Sequence, residues 1–228
     1  MKISGVKIPA GVTITAPAQE QEQPQAPTGP SKFIASSAYG GDNSGAAYVY
    51  TLDGTHEVTV SPGIASINFG LAVAMSDTKI VGTSEKIDSN TGAFWIYNTD
   101  GTGEQKITAS DGATGDKFGN SVAMTDTKIV VSAESDDDAG SSSGSVYVYN
   151  TDGTGEVKIT ASDGAQNDRF GYQVAIQGDK IIVGAPYDDD AGSSSGSVYV
   201  YNLDGTGEVK ITESDGAAGG HKFGESVA

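Results

Sequence analysis

Residues 118–169 read FGNSVAMTDTKIVVSAESDDDAGSSSGSVYVYNTDGTGEVKITASDGAQNDR, and residues 170–222 repeat this stretch with few changes. Residues 69–117 carry the same unit with a shorter middle loop. Each unit holds four short runs rich in β-branched residues and tyrosine, named here strands A to D, which in the quoted unit span 118–123, 127–133, 144–150 and 156–160. An Asp-Gly pair between strands C and D marks a hairpin turn, and no segment shows a helical period. A period of about 50 residues with four strands per unit is typical of a propeller blade, so the sequence predicts an all-β propeller.

The two ends of the repeat array complement each other. Residues 32–61 match strands B, C and D without a strand A, whereas residues 223–228, FGESVA, match strand A alone. We therefore expect a four-bladed β-propeller in which the C-terminal strand completes the first blade, because closure removes exposed strand edges. The expected segments are an extended N-terminal tail with a Pro- and Gln-rich linker at 1–31 and a propeller at 32–228, with blade 1 at 32–68 plus 223–228, blade 2 at 69–117, blade 3 at 118–169 and blade 4 at 170–222. An alternative is that residues 223–228 complete the first blade of a neighbouring copy, which would give a strand-swapped oligomer.

The composition excludes several classes of partner. The chain has 30 acidic and 13 basic residues, a formal net charge of −17 and an isoelectric point near 4.2. This charge repels nucleic acid and anionic lipid, so we expect no nucleic-acid partner. No run is long and apolar enough to cross a bilayer, and residues 1–18 lack the apolar core of a secretion signal. The absence of cysteine excludes disulfides and thiolate metal sites.

The repeats carry a family resemblance. Phe-Gly stands at 69–70, 118–119, 170–171 and 223–224, Gly-Ala-Pro follows one strand B at 184–186, and Gly-Ser-Val-Tyr-Val-Tyr forms a strand C at 196–201. These units resemble FG-GAP repeats, as in integrin α-subunit propellers and in bacterial and phage surface proteins. The resemblance implies a propeller fold and partner binding. Integrin-type repeats carry a calcium loop between strands A and B, but here that link is only MTD at 124–126 or IQGD at 176–179, so the resemblance implies no calcium site there.

Acidic runs in the loops between strands B and C are the candidate metal site. Adjacent carboxylates repel each other, and a hard cation such as calcium would relieve this, with nearby serine hydroxyls and carbonyls as further ligands. The candidate ligands are Asp136, Asp137, Asp138, Asp188, Asp189 and Asp190. The alternative is a solvated turn of Asp, Gly and Ser. Calcium is therefore a possible cofactor, and no other cofactor is expected.

Other recurrent residues favour structural roles. The Asp of each Ser-Asp-Gly loop, at 111, 163 and 215, is expected to cap a turn, and the Phe that begins each strand A is expected to wedge between blades. Aromatic residues in strand C are expected to pack between blades rather than form a contact surface; they are Tyr48, Trp95, Tyr147 and Tyr199. The only histidines, His56 and His221, suggest no catalytic grouping. We therefore expect that the chain is not an enzyme.

The N-terminal segment is the candidate partner-binding region. Val6, Ile8, Val12 and Ile14 alternate with polar residues, Gly and Pro, and short strands here can add to the sheet edge of a protein partner. These features favour a structural interaction protein that is anchored through its tail, as an accessory or host-contact protein of a phage virion assembled in the host cytoplasm. One alternative is a calcium-dependent adhesion module on a bacterial surface. Another is a lectin-like propeller that binds a sugar or peptide outside the cell or on a host surface.

Overall fold

A computed structural model describes residues 32–39, 44–213 and 219–228 of the chain. Its strands are β1 (Lys32–Ser37), β2 (Ala46–Thr51), β3 (His56–Val60), β4 (Val73–Met75), β5 (Lys79–Ser84), β6 (Ala93–Asn98), β7 (Gln105–Ile107), β8 (Phe118–Met124), β9 (Lys128–Ala133), β10 (Ser145–Asn150), β11 (Val157–Ile159), β12 (Gln173–Gln177), β13 (Lys180–Ala185), β14 (Ser197–Asn202) and β15 (Val209–Thr212). A single helical turn, α1 (Ile87–Asn90), lies between β5 and β6. Within the described ranges, no helix has the length and apolarity needed to span a bilayer.

The strands form four antiparallel sheets, each drawn from one repeat. The sheets follow chain order as β1-β2-β3, β4-β5-β6-β7, β8-β9-β10-β11 and β12-β13-β14-β15. We call them blades 1 to 4. The all-β, four-bladed architecture predicted from the repeat is confirmed.

Among the residues that the structure describes, the buried hydrophobic side chains form three layers, one between each pair of consecutive blades. The strand C residues of blade 3 alternate across their sheet, so Val146 and Val148 face blade 4 while Tyr147 and Tyr149 face blade 2. All four side chains are buried because blade 3 has a neighbour on both sides. The β-branched and aromatic composition of strand C therefore reflects burial on two faces rather than one.

Each strand A begins by attaching to the preceding blade. The Phe170 amide donates a hydrogen bond to the Ser143 carbonyl at 2.9 Å, at the start of strand C in blade 3. Gly144, with φ of +84°, lies so close that a Cβ atom there would stand 2.1 Å from the Phe170 carbonyl oxygen. The same approach joins Gly45 to Phe69, Gly92 to Phe118 and Gly196 to Phe223. The glycine before strand C is therefore required by the backbone contact between blades.

The predicted completion of the first blade by residues 223–228 is wrong for this structure. Blade 1 has three strands, and residues 223–228 form no strand, although Phe223 attaches to blade 4 as the other phenylalanines attach to theirs. In blade 3 the strand A ladder uses the residues four to six positions after its Phe, Val122 to Met124. After Phe223 the segment stays beside blade 4, where the Val227 amide donates to the Gln173 side chain at 3.3 Å.

Candidate functional site

The acidic runs lie in tight loops at the edges of blades 3 and 4. In blade 3 the Asp136 carbonyl accepts from the Gly144 amide at 2.9 Å, and the Asp136 side chain accepts from the Asp138 amide at 3.2 Å. Asp136 is buried, whereas Asp137 and Asp138 are exposed, and Asp188 to Asp190 repeat this arrangement in blade 4. The Ser143 hydroxyl donates to the Asp136 carbonyl at 3.2 Å, so it serves the loop itself rather than a metal. Each run therefore presents one buried and two exposed carboxylates.

A lysine from strand D lies at the centre of each acidic run. The Lys158 Nζ is 2.9 Å from Asp136, 2.5 Å from Asp138 and 2.7 Å from Asp111, which belongs to the preceding Ser-Asp-Gly loop. Lys210 makes the same contacts in blade 4, at 2.7 Å to Asp163, 2.7 Å to Asp188 and 2.6 Å to Asp190. We call each group of three carboxylates and one lysine an interblade cluster. Burial alone would lower the pKa of Lys158, but its three carboxylate partners outweigh burial and raise that pKa above its usual value.

A tyrosine hydroxyl ties each cluster to the neighbouring blade. Tyr147 in strand C of blade 3 donates to Asp136 at 3.0 Å and lies 2.9 Å from Asp111, which follows strand D of blade 2. Burial is the main cause that raises the pKa of Tyr147 well above its usual range, so the hydroxyl stays protonated. Tyr199 contacts Asp188 and Asp163 in the same way, at 2.8 and 2.9 Å. The cluster therefore joins two blades through charge-assisted hydrogen bonds.

The blade 4 cluster contains the donor set of a possible metal site. Oxygen atoms of Asp163, Asp188 and Asp190 lie within 4.8 Å of one another and could hold a metal ion. Carboxylate oxygens suit calcium, but the Lys210 ammonium contacts all three residues. The positive charge that a cation would bring to this group is therefore already supplied by the chain. Two of the six predicted ligands, Asp137 and Asp189, make no contact with either lysine among the described residues.

Blade 2 replaces the cluster with apolar packing. Ile87 stands where blade 3 has Asp136, and Trp95 stands where it has Tyr147; both are buried in one core layer. Pro62 takes the place of the loop aspartate. Lys106 keeps a contact with Asp88 at 3.0 Å, on the surface. Blade 2 therefore lacks both the tyrosine hydroxyl and the buried carboxylate that accepts its hydrogen bond. The two are expected to be lost together, because either group alone would be buried without a hydrogen-bond partner.

The sequence reasoning missed the lysines, although the strand register could have found them. Lys158 pairs with Tyr147 across neighbouring strands, and both stand next to the acidic loop. Asp111 and Asp163, expected only to cap turns, also bind the tyrosine hydroxyl and the lysine of the next blade, whereas Asp215 lies outside the described residues. The interblade wedge role is confirmed for Phe69, Phe118 and Phe170, which are fully buried.

Other predicted positions differ in outcome. Trp95, Tyr147 and Tyr199 are buried between blades, as predicted, whereas Tyr48 lies half-buried on the open side of blade 1. The His56 ring meets the Tyr50 ring edge to face at a centroid distance of 5.4 Å, whereas His221 lies 2.6 Å from Glu213. The two histidines therefore lie in different regions. The predicted partner-binding residues Val6, Ile8, Val12 and Ile14 lie outside the described residues.

A second buried carboxylate lies beside each acidic run. Asp168 is 5% exposed and accepts a hydrogen bond from the Ala165 amide at 2.7 Å. Burial first, and then the charges of the run at 188–190, raise the pKa of Asp168 to about 6 despite that hydrogen bond. In blade 3, burial likewise raises the pKa of Asp116. Ionisation of Asp168 at neutral pH therefore costs the folded protein more free energy than it costs the unfolded chain.

Replacing Asp168 by asparagine is expected to stabilise the protein at neutral pH. The folded protein binds the Asp168 proton more tightly than the unfolded chain, so this group's stabilisation is complete below about pH 4 and is lost as the pH rises through about 6. Asparagine at this position does not ionise, so Asp168→Asn avoids the loss of stability at neutral pH. Its side-chain carbonyl can still accept the hydrogen bond from the Ala165 amide. Thermal unfolding followed by circular dichroism should show a higher Tm than wild type at pH 7.5, and the gain should shrink to nothing near pH 4.

Asp152→Asn is the control with the opposite sign. Hydrogen bonds from Thr154 lower the pKa of the exposed Asp152, so its carboxylate favours the folded state above the unfolded pKa. This variant should be no more stable than wild type at pH 7.5, and the two should converge in acid. An equal gain for Asp168→Asn at pH 4 and pH 7.5 would show that ionisation is not the cause.

The blades and their joints define a class of protein: an all-β repeat protein of propeller blades, each attached to the preceding one by a Phe-Gly pair. The family model for the FG-GAP repeat matches residues 102–149 and 154–201. These two segments are therefore similar to FG-GAP repeats, which supports an FG-GAP repeat family. Each match begins near strand D of one blade and runs through strand C of the next, so the family unit includes the joint between blades. Among curated proteins, none matches the chain. FG-GAP propellers serve interaction or adhesion, and the family is generally non-catalytic.

Proposed function

We propose that this chain is a non-enzymatic interaction protein of a phage virion, which displays its blades outward as an accessory or host-contact protein. The observation that carries the proposal is the use of its recurrent polar side chains. Lys158, Tyr147 and Asp136 bind one another and the preceding blade, as do their counterparts in blade 4. These side chains hold a scaffold together, which fits a protein that acts through its surface.

The N-terminal residues are the proposed anchor. Val6 and Ile8 belong to a segment whose alternation suits strand addition to a partner's sheet edge, which takes its affinity from main-chain hydrogen bonds. The net charge of −17 keeps the displayed blades soluble and disfavours contact with nucleic acid inside the particle. The resemblance to the repeats of phage surface proteins supports the virion as the assembly.

The test is the presence of the chain on particles. Virions purified by density gradient from the source culture are analysed by quantitative mass spectrometry, with the full chain supplied as wild type or as the double variant Val6→Asp, Ile8→Asp. We expect wild type to band with the particles and the double variant to fall by about tenfold or more, since charges on an added strand resist burial. The control Gln19→Asp, Gln21→Asp adds the same two charges in the linker and should stay bound. Absence of the wild-type chain from the particles would contradict the proposal.

A second candidate is a calcium-dependent adhesion module. It is favoured by the three carboxylates of Asp163, Asp188 and Asp190, whose oxygens approach within 4.8 Å. This candidate requires that calcium compete with Lys210 for the same oxygens. Thermal unfolding of the wild-type chain with and without calcium chloride separates the two: a rise in Tm together with calcium-dependent adherence to cells supports adhesion, and an unchanged Tm excludes it.

A further inference from the structure

The residue before three of the Phe-Gly pairs is a cation. These residues are Lys117, Arg169 and Lys222, and each has a left-handed backbone, with φ of +57°, +53° and +53°. The three side chains therefore leave the backbone in the same way. Arg169 is the single arginine of the chain, and it is partly exposed although blades 3 and 4 lie on either side of it. This position therefore stays accessible to solvent inside the array of blades.

Blade 3 gives its cation an acidic partner, whereas blade 4 does not. The Lys117 Nζ is 3.2 Å from Glu134, whose side chain is only 7% exposed. Blade 4 has Pro186 in place of Glu134, so the corresponding carboxylate is missing beside Arg169. Among the residues that the structure describes, no carboxylate contacts Arg169 or Lys222, although the whole chain has 30 acidic residues.

Tyr187 brings these two cations together. It replaces Ser135 of blade 3, and its ring centroid is 4.7 Å from the Arg169 Cζ and 4.8 Å from the Lys222 Nζ. The Lys222 ammonium also donates to the Tyr187 hydroxyl at 3.4 Å. The Tyr172 ring supports the Tyr187 ring edge to face at 6.2 Å. Cation–π attraction therefore holds two positive charges at one partly exposed ring.

The hydrogen-bond donors of this group have room for an acceptor. A guanidinium that lies over an aromatic ring keeps its N–H donors in its own plane, where they fit a planar oxyanion. Because Lys222 donates to the Tyr187 oxygen, the phenol hydrogen is left for another acceptor. The ammonium has three N–H donors and uses one of them on the phenol. Arg169, Lys222 and Tyr187 therefore offer the charged donors that an oxyanion requires.

The acidic run that follows Tyr187 does not supply this acceptor. Asp188 and Asp190 are bound to Lys210 at 2.7 and 2.6 Å. Asp189 is exposed and, within the described part of the chain, contacts neither cation. The nearest acidic side chains in sequence are thus engaged elsewhere or solvated, and their repulsion of a bound anion is reduced by Lys210 and by water.

We propose that Arg169, Lys222 and Tyr187 bind an oxyanion, a carboxylate or phosphate group of a ligand, at the joint between blades 3 and 4. The guanidinium takes two oxygens as a bidentate pair, the ammonium adds a second charge, and the phenol hydroxyl donates a further hydrogen bond. Acidic sugars and phosphate-bearing polymers both carry such groups. The site is built from blade residues and not from the proposed anchor, so oxyanion binding and attachment to particles can fail separately.

The Arg169 side chain is itself the probe of this site, since a single arginine gives a single Nε–Hε signal in a ¹H–¹⁵N spectrum. The full chain is titrated with sodium galacturonate, with inorganic phosphate, with neutral galactose and with sodium chloride at matched ionic strength. We expect a saturable shift with galacturonate, phosphate or both, with a dissociation constant of about 1–10 mM, and none with galactose. A response to only one oxyanion identifies the source as an acidic sugar or a phosphate. No saturable shift with either, or the same shift with chloride, overturns the proposal.

Three variants separate this site from the general charge of the chain. Lys222→Gln should raise the dissociation constant about fivefold or more, because it removes one of the two charges. Pro186→Glu restores the acid of blade 3 and should abolish the saturable shift by occupying Arg169. The matched control Lys117→Gln removes a cation that is already paired with Glu134, so the constant should not change. Equal weakening by Lys222→Gln and Lys117→Gln also overturns the proposal, and unchanged backbone amide signals away from each substitution verify the fold.

Discussion

Replacing Phe118 by alanine is expected to lower the free energy of unfolding by about 3–5 kcal/mol, because it removes a fully buried ring from between two blades. Phe118 packs on Phe94 of blade 2 at a ring distance of 5.8 Å and on Tyr147 of blade 3 at 5.2 Å. Alanine leaves a cavity that neither sheet can fill, since both backbones are held by their own ladders. The loss should appear as a lower urea midpoint at a protein concentration where the chain is monomeric.

Phe223→Ala is the matched control, because Phe223 holds the same position in the last repeat. Its amide donates to the Ser195 carbonyl at 2.8 Å, as the Phe118 amide donates to Thr91 at 3.0 Å, but the Phe223 ring is only half-buried. We expect a loss of about 1 kcal/mol or less in the monomer. A loss equal to that of Phe118→Ala would show that the Phe223 ring is buried in a closed core, contrary to this structure.

Replacing Lys210 by methionine is expected to destabilise the protein by roughly 2–3 kcal/mol. The variant keeps the length of the side chain but leaves Asp163, Asp188 and Asp190 facing one another without the ammonium that contacts all three. Asp188, with a side chain only 3% exposed, bears most of the cost, while the more exposed Asp163 and Asp190 are screened by water. The change should be read as a fall in Tm at pH 7.

Lys106→Met is the control within the same chain. Lys106 has the same position in strand D of blade 2 and contacts only Asp88, whose side chain is 63% exposed. We expect a change of at most about 1 kcal/mol. Calcium chloride should restore part of the Tm lost in Lys210→Met and leave the Tm of Lys106→Met unchanged, because three carboxylates converge on Lys210 and only one contacts Lys106. Equal destabilisation of both variants would show that the cluster does not carry the effect.

The strands could be predicted closely because their signal is local. Strand C of blade 3 was expected at 144–150 and forms at Ser145–Asn150; strand D was expected at 156–160 and forms at Val157–Ile159. Alternating β-branched and aromatic residues encode an extended backbone within a few positions. The candidate site was predicted only in part. Asp136 and Asp188 do lie in charged clusters, but the cation that they contact is a lysine. Asp111 also contacts Lys158 although it lies 47 residues earlier in the chain, a distance over which a local sequence pattern gives no signal.

The closing strand shows the limit of counting repeats. The match of residues 223–228 to strand A is correct as a pattern, since Phe223 docks on blade 4 as the pattern requires. Whether that segment also pairs with β1 depends on how the first and last blades are placed, and in this structure the Val227 amide donates to Gln173 of blade 4 instead. The placement of the blades is a property of the whole array and cannot be predicted from the six residues of the segment.

The repeat, its four strands per unit and the Phe-Gly at each joint were determined by the sequence alone, because backbone periodicity and turn chemistry act over a few residues. The tertiary structure decided which charges meet and which faces stay open. Lys158 reaches Asp111 only because blade 3 is seated on blade 2, and Ile159 is buried against blade 4 whereas the equivalent Ile211 is exposed. Both outcomes arise from contacts between units, where residues tens of positions apart are brought together by packing.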